Sequence, residues 1–431
     1  MPLQGAIERG LARVVAVRPG EARALLWSFA YFFCLLAGYY VLRPLRDEMG
    51  IAGGVRNLQW LFTATFVVML AAVPVFGAVV ARLPRRRFVP LVYHFFVLNI
   101  AAFWLLLTFD IEKVHVARVF FVWISVFSLF VVSVFWSFMA DLWSNEQGRR
   151  LFGFIAAGGS AGTLLGAGVA LSLAVPLGPV NLLIVAAVLL ELAVLCARGL
   201  EAAAPQSGGE VAKKLPETGA IGGNRLAGLV MVLRSPYLAG IALWVALLSL
   251  ASTVLYFQQA SIVAAASNDP AVRTQIFARI DLAVSILTIF VQFFATGRLI
   301  KRFGVGPAAA ALPLVFALGF VALAFSPVLL VVIAFQALQR ATNFALSNPA
   351  REVLFTVLAR EEKYKAKNVI DIVVFRGADA GSGWLFSALR GAGLELGSIS
   401  LATVPVAGVW LALALALGRG QEKRANLQEI L

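Results

Sequence analysis

Apolar residues fall in runs of about 20 along nearly the whole chain, separated by short polar clusters. A helix needs a run of that length to cross roughly 30 Å of hydrocarbon. Twelve such segments are expected near 24–42, 58–80, 89–108, 116–138, 151–175, 179–197, 237–259, 276–297, 308–326, 328–346, 369–388 and 396–417. Leu83-Pro84, Pro176-Leu177-Gly178-Pro179, Gly304-Val305-Gly306-Pro307 and Ser326-Pro327 punctuate them as turns. Hydrocarbon offers no partner to a backbone N–H or C=O, so each segment must bond to itself as a helix. The predicted class is an all-α polytopic membrane protein with about twelve transmembrane helices.

The longest polar connection, Arg198 to Asn224, holds Pro205-Gln206-Ser207-Gly208-Gly209-Glu210 and reads as a flexible linker. It divides the chain into a six-helix half over 1–197, a linker over 198–235, a second half over 236–418 and a tail over 419–431. The halves echo one another. Gly77 precedes Ala81-Arg82 just after the second span, and Gly297 precedes Lys301-Arg302 at the same spacing just after the eighth. This pair resembles a degraded loop signature of the major facilitator superfamily, in which two six-helix halves surround a central site.

Composition agrees with the pattern. Some 61% of the 431 residues are hydrophobic and 13% charged, against about 25% charged in soluble domains. A net charge of +14 would suggest nucleic acid in a soluble protein. Here the basic residues follow sidedness: with both termini inside, 26 of the 36 lie on that side, 8 on the other, and Arg340 and Arg376 within spans. The partner expected from this surface is the lipid bilayer and not a nucleic acid polymer, in a bacterial cytoplasmic membrane with both termini cytoplasmic. The first 21 residues carry Arg9, Arg13 and Arg18 and lack an apolar core, so the first span is expected to direct insertion. Cys34 and Cys196 lie inside apolar runs, and His94 and His115 stand alone, so no disulfide framework, metal cluster or cofactor is expected. None of the eight lysines precedes Ser or Thr, so no P-loop can be drawn and ATP-driven pumping by this chain is not expected.

Candidate chemistry lies among the few polar residues of the spans. Arg43 and Arg46 are three apart at the end of the first span, followed by Asp47 and Glu48. They suit either a bidentate grip on phosphate or carboxylate or a charged stop paired to those acids. Asp141, after the fourth span, could pair with Arg149 or Arg150 as a gate, or stand as a solvated loop acid. Gly158, Gly162 and Gly166 recur every four residues and favour close helix packing over substrate contact. In the tenth span the spacings of three and four put most of Gln336, Gln339, Arg340, Asn343 and Ser347 on one face. Lipid disfavours such a face, so it lines a cavity or builds a buried ion pair; Gln258, Gln259 and Gln292 are candidates for the same cavity. Arg376 and Asp379 are three apart in the eleventh span, either a substrate site or a mutual ion pair. Arg279 with Asp281, and Glu191, are expected to form structural pairs.

Three stretches taken together resemble the bacterial and plastid ATP/ADP translocase family. They are Leu42-Arg43-Pro44-Leu45-Arg46-Asp47, then Phe135-Trp136-Ser137-Phe138 through Arg150-Leu151-Phe152, then Arg351-Glu352 through Lys365-Ala366-Lys367-Asn368-Val369-Ile370-Asp371. The resemblance implies twelve spans and exchange of anionic nucleotides, with Arg46 as a substrate cation and Asp141 as the carboxylate after the fourth span. Two positions depart: Leu255-Tyr256-Phe257-Gln258 stands where the family has Glu with a nearby Lys, and Ala378-Asp379-Ala380-Gly381 replaces Gly-Lys-Ser-Gly. The resulting expectation is a secondary carrier working by alternating access on an anionic small molecule. Arg43, Arg46, Gln258, Gln336, Arg340, Asn343 and Arg376 are its substrate candidates, and Asp141, Arg149, Arg150 and Asp379 its gate or ion-pair candidates. A carrier of another small solute is the alternative within the class; a membrane scaffold or an intramembrane enzyme is the alternative outside it.

Overall fold

The computed structural model describes residues 15–18, 20–82, 85–203, 227–294, 302, 304–358, 362, 365–367 and 369–430. The Leu83-Pro84 turn, the linker signals of 205–210, and Gly297 and Lys301 of the repeated signature lie outside them. The described residues form helices and no strands.

In the first half the helices are α1 (Ala22–Ala52), α2 (Leu58–Arg82), α3 (Arg85–Thr108), α4 (Lys113–Leu142), α5 (Asn145–Leu173) and α6 (Leu182–Ala203). A short helix, Ala227–Arg234, leads into the second set. That set begins with α7 (Pro236–Ala266), α8 (Pro270–Phe294) and α9 (Val305–Phe325). α10 (Leu329–Thr342) continues through a π-helical turn, Asn343–Ser347, into a last α-helical stretch, Asn348–Leu354. A second π turn, Val369–Val374, opens α11 (Phe375–Gly391), and α12 (Leu396–Ile430) closes the chain. Each predicted span overlaps one of these elements. Among the described residues, eleven helices are long and apolar enough to cross a membrane. The segment over 369–391 is not among them, because Asp371, Arg376 and Asp379 interrupt it.

Helix ends follow local chemistry. Ser144 and Gln147 form a reciprocal capping box at the start of α5, with N···O distances of 3.3 and 3.0 Å. Ser235 caps α7, with Pro236 in its first turn. Gly178 and Gly304 adopt positive φ, 78° and 80°, in two of the predicted turns. Several helices overrun their predicted spans. The tail stretch 419–430 continues α12 as helix, since its polar residues interrupt hydropathy but not backbone hydrogen bonding.

By contact the chain forms two compact units. The first holds α1, α2 from Ala71 on, α3 to α6, and α8 as far as Leu282; the second holds Gly53–Leu70, α7, α8 from Ala283 on, and α9 to α12. Packing repeats at an interval of six helices. In the first unit α1 packs on α4, α5 and α6, and α3 on α4 and α6; in the second α7 packs on α10, α11 and α12, and α9 on α10 and α12.

Within the first unit, glycines let α5 approach α1. A Cβ on Gly158 would stand 2.6 Å from the carbonyl oxygen of Phe29, and on Gly162 or Gly166 it would overlap the carbonyls of Phe33 or Ala37. All three glycines thus serve helix packing. Aromatic rings fill the rest, with Phe32 stacked on Phe135 at 4.2 Å and the Tyr31 hydroxyl donating to that of Tyr93 at 2.6 Å. In the second unit Trp244 packs on Trp410, and Phe316 on Phe335. The surface is greasy: Leu98, Leu318 and Leu330 are 70, 63 and 75% exposed. That surface suits hydrocarbon, and the chain is an integral, multi-pass membrane protein.

Candidate functional site

Three polar clusters stand out against this background. The first joins the end of α1 to the start of α8 inside the first unit. Arg43 lies 3.3 Å from Asp281, and Glu48, fully buried, accepts two hydrogen bonds from Arg273 at 2.6 and 2.7 Å. Arg46 contacts Asp47 at 3.1 Å and lies over the Phe121 ring at 4.1 Å. Both arginines are therefore engaged by carboxylates. Asp281 pairs with Arg43 of α1 and not with Arg279, which instead donates to Gln275. A helix turns 100° per residue, so neighbours two apart face different ways.

The second cluster ties the segment before α1 to the start of α5. Arg150 binds Glu21 at 3.0 Å, approaches Glu146 at 3.8 Å and donates to the Ala16 carbonyl. Gln147 donates to Glu21 at 2.9 Å, and Arg18 pairs with Glu146 at 2.6 Å. Burial works to raise the Glu21 carboxyl, but hydrogen bonds from Arg150, the Arg18 backbone and Gln147 outweigh it and hold it below the usual carboxylate range. The acid that engages Arg150 is thus Glu21, more than a hundred residues upstream, rather than Asp141, which is exposed. The side chain of Arg149 lies outside the described residues.

The third cluster joins α7 to α11 and α12 in the second unit, with further polar residues lying along α10. Asp379, buried on α11, accepts from Ser249 Oγ at 2.6 Å and Thr253 Oγ1 at 3.1 Å, both on α7, and faces Arg376 at 3.4 Å. Gln258 is fully buried; its Oε1 accepts from Ser400 Oγ at 3.0 Å and its Nε2 donates to the Leu396 carbonyl, so it latches α7 to α12. On α10 Gln339 donates to Gln336 at 2.8 Å, both side chains buried, and Arg340 is partly buried. Asn343 Oδ1 and Ser347 Oγ, at the two ends of the π turn, are buried without a hydrogen-bond partner. Beyond the cluster, Arg351 lies 3.1 Å from Asp371 without hydrogen-bond alignment, and Lys367 binds Glu352 at 2.6 Å.

Arg43 and Arg46 thus belong to the first unit, and Gln258, Gln336, Arg340, Asn343 and Arg376 to the second. Ser249, Thr253 and Arg273 are absent from the sequence-based candidates. The only trace of Ser249 and Thr253 is two hydroxyls one helical turn apart in an apolar run. The turn at 343–347 has a clearer sign: Pro349 has no N–H to offer Ala345, and its ring crowds that carbonyl. The register widens instead, the N–H of Asn348 reaching Asn343 five residues back.

Helix order, six-helix packing repeat and membrane surface together define the major-facilitator type of fold. No protein-family model and no curated protein matches the chain. Solved structures that share the fold include the nucleoside transporter NupG, with TM-score 0.59 and 13% identity over 94% of this chain and all of that one. A bacterial homologue of the human lysosomal transporter Spinster, in an inward-facing and unoccupied conformation, gives 0.57 and 13% over 95 and 99%. A POT family transporter in complex with a thioalcohol-conjugated peptide gives 0.62 and 11% over 93 and 96%. At these identities the likeness is one of fold.

Proposed function

We propose that this protein is a secondary carrier that moves an anionic small molecule by alternating access. The observation that carries the reading is the third cluster. A charged pair and two hydroxyls sit on helices that otherwise match hydrocarbon. Polar groups at such depth are costly and kept where something must pass. The shared fold with a nucleoside transporter and with a POT family transporter in complex with a peptide conjugate supports the same reading. Arg376 and Arg340 supply the attraction, and Asn343 and Ser347 complete the polar lining. The halves 1–197 and 236–418 are the moving bodies, and the basic bias orients both termini to the cytoplasm of a bacterial inner membrane.

Nucleotide exchange of the ATP/ADP type is the specific form the motif resemblance supports. One observation favours the alternative, a carrier of a different small solute. Arg43, Arg46 and Arg376 each face a carboxylate, so a triphosphate would have to outcompete three acids. Uptake of labelled ATP, ADP and small organic anions into intact bacteria expressing the protein separates these readings. Saturable ATP uptake, competed by ADP and lost in Arg46→Ala and Arg376→Ala, is the result expected for the exchanger. Uptake of a smaller anion alone replaces the nucleotide with that anion. No uptake of any of them, with partner proteins recovered alongside, overturns the carrier in favour of a scaffold.

A further inference from the structure

The two oxygens of Asp379 keep different company. Oδ1 meets the hydroxyls of Ser249 and Thr253, while Oδ2 faces the Arg376 guanidinium at 3.4 Å. Ser249 Oγ has a second neighbour, the carbonyl oxygen of Phe375 at 2.9 Å. A hydroxyl has one proton to give and lone pairs to receive with. Ser249 can therefore serve only one of these two acceptors at a time. With Asp379 ionised, the Ser249 proton points to Oδ1 and the contact with Phe375 O goes unfilled. With a proton on Oδ1, that O–H donates to Ser249 Oγ, the Ser249 proton swings to Phe375 O, and both contacts are filled. The same heavy-atom positions hold one proton more without moving.

Arg376 responds in the opposite sense. Its side chain is 32% exposed against 12% for Asp379, and it lies 5.5 Å from the Phe375 ring. Neutralising Asp379 removes the charge that holds this guanidinium and leaves a cation at the accessible edge of the cluster. Few other charges compete. The titratable side chains of α7 are Tyr237 and Tyr256, and α12 carries no charged residue before Arg419. On the segment leading into and along α11, Asp371 is paired to Arg351 two turns away, and Arg390 lies at the far end. The Gly53–Leu70 stretch, which packs on α11 through Gln59, Trp60 and Thr63, carries Arg56, and α10 contributes Arg340.

We propose that Asp379 is a proton-binding site that exchanges its hold on Arg376 for a proton, so that a proton and an anion enter the carrier together. The proton comes from water, binds Oδ1 and turns the Ser249 hydroxyl; on release it returns to water, the hydroxyl turns back and Arg376 recaptures the carboxylate. The proton site stands on the geometry of this cluster, and its coupling to cargo rests on the carrier reading above. The test is infrared difference spectroscopy of the full-length protein in lipid, titrated from alkaline to acid pH, with ATP as the anionic probe.

The expected result is a protonated-carboxyl band that Asp379→Asn removes. In Arg376→Gln its midpoint rises by about 1–3 pH units, because an opposite charge no longer favours the ionised form. This second variant keeps the test decisive where Asp379→Asn fails to fold. ATP should raise the wild-type midpoint but not that of Arg376→Gln, since anion and proton must favour each other reciprocally. A band untouched by Asp379→Asn, or a midpoint unmoved by Arg376→Gln, overturns the proton site. In proteoliposomes, ATP uptake indifferent to an imposed proton gradient overturns the coupling and leaves the carrier intact. A titrating Asp379 in a protein that moves no labelled solute keeps the proton site and overturns the carrier.

Discussion

The pair between Glu48 and Arg273 gives the sharpest test of the packing described for the first unit. Glu48 is fully buried and Arg273 nearly so, at 0 and 11% exposure, with two hydrogen bonds of 2.6 and 2.7 Å between them. Removing one partner strands a charge where water cannot reach it. Breaking buried pairs in this way costs about 3–5 kcal/mol, whereas replacing both partners by apolar residues of similar volume is often neutral or stabilising. Glu48→Gln and Arg273→Gln should each lower the melting temperature of the purified protein by several degrees, followed by tryptophan fluorescence in detergent. Glu48→Leu combined with Arg273→Met should recover most of the loss, leaving a coupling energy of about 0.5–3 kcal/mol in the double-mutant cycle. High salt should rescue neither single variant, because screening acts on exposed pairs. Single variants that melt like wild type, or losses that simply add, would refute the idea that this contact clamps α1 to α8.

Other outcomes follow from the same geometry. Gly162→Ala places a methyl on the Phe33 carbonyl of α1 and should destabilise by about 1–3 kcal/mol, while Gly168→Ala, which meets nothing within 4 Å, should be neutral or gain up to about 1 kcal/mol from helix propensity; thermal unfolding of both reads the contrast. The folded-state shift of Glu21 is downward, so the stability it lends is complete above the ordinary carboxyl value of 4.5 and disappears as pH falls through the lowered one; Arg150→Gln should flatten that acid limb in a melting series against pH. Cys34 on α1 and Cys196 on α6 are both free and lie near one another, so the protein should bind one bridging Hg²⁺, a thiophilic ion, and lose it in Cys34→Ser or Cys196→Ser, read by competition with a thiol-reactive dye.

Hydrophobic spacing made the helices legible, because hydrocarbon leaves a chain of this composition one choice of backbone. It could not reveal which face of each helix meets which neighbour. Gln258 reads as a cavity residue in an apolar run, yet its amide latches α7 to α12 through Ser400. Ser249 and Thr253 read as filler and turn out to hold Asp379. For Arg150, proximity in sequence suggests Asp141, but the capping box at Ser144 aims the start of α5 toward Glu21. The alternative of a mutual ion pair for Arg376 and Asp379 describes the geometry found. So does the alternative of salt-bridged acids beside Arg43 and Arg46, although the acid for Arg43 comes from α8 and not from its own helix.

The two π turns store something a straight helix lacks. Each holds one residue more than an α-helical turn would use, within the segments that bear Asn343 and Asp371. Tightening one of them to α-helical register would feed that spare residue along the rod and rotate everything beyond it by about 100°. Side chains could trade places between lining and lipid while nearly every backbone hydrogen bond stayed made. A polypeptide in oil, with no water to catch a broken bond, thereby keeps a slack link that it can pay out and take back.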